Sequence, residues 1–324
     1  MSRIDVDKPL YDVNTFLGRF RHFAWMSDPR TCILSDDKLR QAKTLIEQYR
    51  KGQEPPGTTS DQVKYAMKLY SSAFHPDSGE LQNFAGRMSF QMPGGMIITG
   101  AMLAFYRTVP EIVFCQFINQ SFNALVNYTN RNANSPTSVA QLGVAYVSAT
   151  SSALVAALGC KSYWTKRAPP IFQRYVPFAA VAVANCVNIP LMRQNEIAKG
   201  IEVTDENGNA VGRSRLAAVK GISQVVMSRI TMCAPGMLLL PILMEKVEKA
   251  YPAYKRMKWL DASVQTCMVG CFLLFMVPTA CALFPQICSL KTSTMKRFEP
   301  ALYEEMVEKN KGKVPEKIYF NKGL

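Results

Sequence analysis

Residues 175–192 read YVPFAAVAVANCVNIPLM, eighteen positions without a charged side chain, set between Arg174 and Arg193. A helix needs about 20 predominantly apolar residues to cross roughly 30 Å of hydrocarbon, and this stretch comes close. Four others share its character. Residues 88–106 lie between Arg87 and Arg107, and residues 138–158 sit inside a longer uncharged run from 132 to 160. Residues 222–244 are long enough but contain Arg229, and residues 264–284 form the apolar centre of an uncharged run from 262 to 290. One such stretch could be the core helix of a water-soluble protein. Five in one chain of 324 residues specify an all-α polytopic membrane protein with about five transmembrane helices.

The net charge of +14 would raise nucleic acid as a partner in a soluble protein. Here the basic residues gather in loops and at span ends, as in Lys161, Lys166 and Arg167, or Lys255, Arg256 and Lys258, where lipid headgroups lie. No nucleic-acid motif accompanies them, so the reading is a lipid membrane and no nucleic acid. The nine cysteines are scattered singly, with no CxxC and no zinc spacing, and read as small apolar filler. The N-terminus has no hydrophobic core segment and carries acidic residues. It is therefore expected to be neither a secretory signal nor a cleavable presequence.

Outward from the spans, residues 1–87 read as a soluble helical head. Ser35 caps a helix with Asp36 and Asp37 in its first turn, ending at Gly52, and Ser60 and Asp61 open a second helix running to about Phe74. His75, Pro76, Asp77, Ser78, Gly79 and Glu80 then form a turn. The transmembrane region covers 88–290, and 291–324 is a soluble tail, helical over about 299–309. Between the first two spans, residues 112–130 carry no charge, yet Gln116, Asn119, Gln120, Asn123, Asn127 and Asn130 recur at three- and four-residue steps. That is one wet seam on an otherwise apolar helix, either amphipathic at the interface or re-entrant along a polar cavity. The loop over 196–220 contains Asn207-Gly208, a tight-turn signal for a short hairpin. Five spans place the two termini on opposite sides.

A transporter needs a binding site at membrane depth, often where helices are broken. The third span carries Asn185 and Asn188 one turn apart and then Pro190; the fourth carries Arg229, Pro235 and Pro241. Proline frees carbonyls that must find partners among neighbouring helices, water or a ligand. Candidate substrate-binding residues are therefore Asn119, Gln120, Asn123, Asn127, Asn185, Asn188 and Arg229. An uncharged amide lining suits a substrate without net charge. The plainer alternatives are interhelical hydrogen bonds for the asparagines and a snorkelling side chain for Arg229. His75, Asp77 and Glu80 could ligate a metal, but with one other histidine, His22, in the chain the turn reads as structure, with no metal and no cofactor. No P-loop, dinucleotide fingerprint, HExxH or GxSxG occurs, so no enzyme is expected.

Several long matches in order give a family resemblance. Asp28-Pro29-Arg30, the turn from His75 to Glu80, the run from Asn119 to Arg131, residues 176–182, residues 188–194, Ala234-Pro235-Gly236 and the terminal 319–324 together resemble the sideroflexins over essentially the whole chain. Residues 90–100 are most like the second vertebrate-type paralogue. Ser78 stands where that family's turn usually has Thr, and both offer a hydroxyl.

The resemblance implies a multipass mitochondrial protein, in the inner membrane in most accounts, carrying serine and related small amino acids for one-carbon metabolism. It also implies a link to iron and haem homeostasis. No ligand cluster for iron accompanies that link, so it is read as indirect. The repeated Pro-x-acidic-x-x-basic signature of the common mitochondrial carriers is absent, which points to another architecture. The alternative is a membrane interaction or scaffold protein whose head and basic loops dock a partner not identifiable from sequence, affecting iron or haem metabolism without carrying amino acids.

Overall fold

In this computed structural model the described residues are 3–76, 78–130, 138–251, 258–309 and 314–323, without the side chains of Val139, Lys258, Trp259 and Lys309. The head begins with α1 (Phe16–Met26), which the sequence reading did not anticipate, followed by α2 (Asp36–Lys51) and α3 (Ser60–Ala73). Gly52 ends α2 in the left-handed region at φ 71°, where a side chain would be strained. The cap of α3 is Thr59, one residue earlier than expected: its hydroxyl accepts from Gln62 while the Gln62 side chain accepts from the Thr59 amide. Ser35 occupies the N-cap of α2 without a side-chain bond. Leu39, Ile46, Val63, Ala66 and Phe74 form the core between these two helices.

Asp28, at the head's junction with the bundle, accepts from Arg30 at 2.7 Å and also pairs with Lys68, whose side chain is only 12% exposed. The Arg30 guanidinium first, with help from Lys68, holds the Asp28 carboxyl well below the usual carboxylate range despite its burial.

Among the described residues, five helices are long and apolar enough to cross a membrane. They fall in α4 (Gln91–Phe105), α6 (Val139–Arg167), α7 (Val176–Met192), α9 (Arg215–Ala250) and α10 (Lys258–Ala282). The prolines do not break them: α7 continues through Pro190, α9 through Pro235 and Pro241, and α10 through Pro278. Their cost is local, one missing backbone donor each, which leaves the carbonyl four residues earlier without its helical partner. Small residues bring the helices together. Gly100 of α4 lies so near α10 that a Cβ there would be 2.8 Å from the Thr266 Cα. Along α6, Ala145, Ala149, Ala153 and Ala157 are all fully buried, the last against Val176 and Ala180 of α7.

The amide-rich segment is α5 (Val109–Thr129), a helix of 21 residues or about 31 Å. It starts beside the end of α4 and finishes beside the start of α4, where Gln82 donates to Asn130 at 2.6 Å and Asn130 donates to the Gly86 carbonyl at 3.2 Å. It therefore runs antiparallel to α4 over its full height instead of turning back.

Other contacts fix the two ends of the bundle. At the near end, Gln141 bonds Asn195 at 3.1 Å and Arg19 donates to the Ala282 carbonyl at 2.9 Å. At the far end Lys161 bonds the Arg107 carbonyl, and Arg174 pairs with Glu248 at 2.8 Å. Among the described residues six helices thus run between the ends, counting α5. The first and last described residues, Arg3 and Gly323, belong to the near end, not to opposite sides as a count of five crossings implied.

After the short α8 (Gln194–Lys199), the expected hairpin forms from β1 (Ile201–Thr204) and β2 (Ala210–Ser214). It joins β3 (Ile287–Lys291) and the C-terminal β4 (Lys317–Asn321) in an antiparallel sheet of order β2-β1-β4-β3, which no periodicity announced. Two more helices, α11 (Thr292–Phe298) and α12 (Pro300–Lys309), cover it through Met295 and Met306. Arg19 and Lys322, from the two ends of the chain, bond the last carbonyls around the end of α10: Lys322 donates to Phe284 at 3.0 Å.

Two outcomes are expected. Tags at the N- and C-termini, read by protease protection in sealed vesicles, are cut together from one side. Asp28→Asn destabilises the head by about 3 kcal/mol, because it strands a buried ammonium group, and head-region proteolysis accelerates. Since Asp28's folded pKa is depressed, its contribution is present above the usual carboxylate range of about pH 4 and declines as the pH falls toward its lowered folded value.

Candidate functional site

The residues that single out α5 are those facing inward. In a water-soluble amphipathic helix the apolar face is buried and the amides face out. Here Val113, Phe114, Phe117, Ile118 and Leu125 are exposed, Phe114 by 65%, whereas Gln116 is 0% exposed and Gln120 is 2% exposed. A helix turned inside out in this way is explained by hydrocarbon on its outer face. The inner face then carries amides at positions 116, 119, 120, 123, 127 and 130, stacked by three- and four-residue steps.

Some of these amides are spent on the fold. Gln116 Nε2 donates to the Tyr106 hydroxyl at 2.6 Å, Asn127 lies 3.1 Å from the Met192 sulfur of α7, and Asn130 ties the C-terminal end of α5 to the segment before α4. Others are not. Among the described residues, Gln116 Oε1, Asn119 Nδ2 and Gln120 Nε2 are buried without a hydrogen-bond partner. These are one acceptor and two donors on a single helix face, a costly arrangement in an apolar interior unless something polar visits it. Asn123 is half-buried on the same side of the helix.

The candidates on other helices divide. Asn188 of α7 is buried, at 6% exposure, close in sequence to Ile189, which packs against Ile222 and Val225 of α9. Asn185 donates to the Val181 carbonyl of its own helix at 2.9 Å, which occupies one of its amide hydrogens within α7. Arg229 lies toward the near end of α9 among the thiols of Cys233 and Cys281. Among the described residues no carboxylate lies within ion-pair distance of it, and the neighbouring Ser228 hydroxyl is buried without a partner. The structure thus brings Asn119, Gln120, Asn123 and Asn127 onto one seam and places Asn185, Asn188 and Arg229 on two other helices.

Gln116 belongs with the binding candidates although the sequence reading used it only to define the stripe. Its signal was present: it sits four residues before Gln120 on the same face.

The turn after α3 packs as local structure. His75 donates its amide to the Glu80 carbonyl at 2.9 Å, Gly79 donates back to His75 at 2.9 Å, and Gly79 holds φ at 65°. Pro76 lies exposed within the turn, and Asp77 lies outside the described residues. Lys43 of α2 donates to the Gly79 carbonyl at 2.8 Å, so the turn locks α2 against α3. Among the described residues no three His, Cys, Asp or Glu side chains converge as metal ligands would.

Comparison with known proteins follows the same lines. The family model described as Sideroflexins matches residues 5–324. Sideroflexin-2 of Drosophila melanogaster is 70% identical over 321 residues, covering 99% of this chain and 98% of its own. Sideroflexin-2 of Homo sapiens is 55% identical over 324 residues, covering 100% and 99%, and sideroflexin-1 of Homo sapiens is 48% identical over 323 residues, covering 99% and 98%. No solved structure matches.

Gln116→Leu separates packing from function. Made together with Tyr106→Phe, so that no hydroxyl loses its partner, this replacement of a half-satisfied buried amide by an apolar group of similar size is expected to leave thermal stability in detergent unchanged or slightly raised. A fall in melting temperature would mean that the amide is fully bonded in the protein and not held open.

Proposed function

This chain belongs to the sideroflexin family, and from that premise we propose that it carries serine, and with it small neutral amino acids such as alanine or cysteine, across a mitochondrial membrane. The inner membrane is the expected site, and supply of one-carbon metabolism the expected purpose. The observation that carries the reading is the inward amide seam of α5. A zwitterion offers an ammonium donor group, a carboxylate acceptor and, in serine, a hydroxyl; the unpartnered atoms of Gln116, Asn119 and Gln120 are an acceptor and two donors. They present no net charge, so the empty site carries no charge-burial penalty.

In this reading Asn119, Gln120, Asn123 and Asn127 line the path along α5, Asn188 faces it from α7, and Arg229 attracts the substrate carboxylate toward the near end of α9. Asn185 is the weakest member, since one of its amide hydrogens is occupied within its own helix. The prolines of α7, α9 and α10 supply flexure points in otherwise continuous helices, where a missing hydrogen bond lowers the cost of bending. No chemistry on the cargo is required, and the role in iron and haem homeostasis is indirect.

A second reading has an observation of its own. The head core and the four-stranded sheet are separately packed modules at the near end, larger than transport alone needs. They offer a folded surface for a partner protein, which is the scaffold alternative.

Uptake of labelled serine by liposomes containing only the purified protein decides between them. Saturable uptake competed by alanine or cysteine is expected, and Asn123→Ala or Asn188→Ala lowers it by about tenfold at unchanged protein level, the value of a lost hydrogen bond to a charged group. Folded protein giving no uptake above empty liposomes favours the scaffold.

A further inference from the structure

The far end of the bundle holds a cavity of about 600 Å³ that the amide seam does not include. It opens among α4, α6, α7, α9 and α10, and its polar lining includes Arg107, Lys161, Arg174, Glu248, Asp261 and Gln265, with Gln173 at the exposed edge. Glu248 is accounted for by Arg174 at 2.8 Å. Asp261 is not. It is 8% exposed, and its Oδ2 is 4.0 Å from Arg107, a loose pair whose arginine side chain is 65% exposed. Among the described residues its Oδ1 is buried with no hydrogen-bond partner.

An acidic residue in the first turn of a helix is ordinarily explained by the helix dipole, and Asp261 occupies that position in α10. The dipole accounts for an acidic residue at the surface. It does not account for a carboxylate that lines a cavity with one oxygen desolvated and the other 4.0 Å from its nearest cation, a costly arrangement in an apolar surrounding.

We propose that this vestibule is where a zwitterionic amino acid docks from the side opposite both termini, Asp261 accepting its α-ammonium group and Arg107 pairing with its α-carboxylate. The proposal rests on the transport reading above and gives it a docking place and a recognition rule. The exchange is balanced in charge: the incoming ammonium replaces Arg107 at Asp261, and the released guanidinium, already at the solvent edge, turns to the carboxylate that arrived with it. Gln265, buried at 7% exposure one turn further along α10, offers an amide for the substrate's side chain. A ligand with only one of the two charges leaves either Asp261 or Arg107 unmatched.

The test uses the full-length protein in liposomes, with serine and glycerate, which is serine with the ammonium replaced by a hydroxyl. Wild type is expected to take up serine and to ignore glycerate as a competitor. Asp261→Asn raises the KM for serine by about tenfold and shrinks the preference for serine over glycerate by a similar factor, while Asp261→Glu recovers part of both. Gln173→Trp, which crowds the exposed mouth without altering the buried carboxylate, also raises KM; it carries the test should Asp261→Asn fail to fold.

Serine uptake by wild type with unchanged KM in both variants overturns the vestibule and leaves the carrier standing. Sodium-dependent uptake that becomes sodium-independent in Asp261→Asn, with the serine preference intact, overturns it as well, since the carboxylate then serves a metal cation. Absence of uptake by wild type removes both proposals together.

Discussion

Hydrocarbon offers no hydrogen bonds, and every feature of this bundle follows from keeping polar groups away from it. Backbone groups are met within helices, which is why α7, α9 and α10 continue through their prolines instead of unwinding. Side-chain amides are met by turning them inward, which is why α5 exposes phenylalanine and buries glutamine. Since apolar side chains gain little by leaving lipid for a protein interior, close approach must come from shape. Gly100 against Thr266 and the alanine stripe of α6 provide it.

The two ends of the bundle are built differently. At the near end cations converge on the last carbonyls of α10, with Arg19 drawn from the first helix and Lys322 from the last strand. The N-terminal head and the C-terminal sheet are thereby fastened to one helix end, and Arg193, bonding the Lys322 carbonyl at 2.7 Å, adds α7 to the junction. Among the described residues the far end has no such closure. Its charges line an open cavity, and Asp261 is held there loosely paired.

Between these ends lies the amide seam, closed on itself in this conformation. Gln116 and Gln120 are too well covered to meet bulk water, so under the proposed transport reading α5 must shift against its neighbours. Phe90, just before α4, and Phe122 of α5 meet edge to face with 6.2 Å between their rings, a contact that can slide more readily than a hydrogen-bonded one.

Charge-free length alone determined the membrane class, the five apolar helices, and the amide periodicity of α5, because hydrophobic thickness and helical repeat are local properties of a chain. The Asn207-Gly208 turn and the Gly52 stop were legible for the same reason: each depends on backbone preferences at one or two residues. What the linear order could not carry was anything set by pairing at a distance. Whether α5 lay on the surface or crossed was decided by where its last turn met Gly86 and Asn83, and that contact reversed the expected placement of the termini. The sheet needed strands more than 70 residues apart, β2 and β3 among them, to be brought together by helices between them. Asp261 looks in sequence like any first-turn carboxylate. Only the packing of five helices around it takes away its water and leaves one oxygen waiting for a donor.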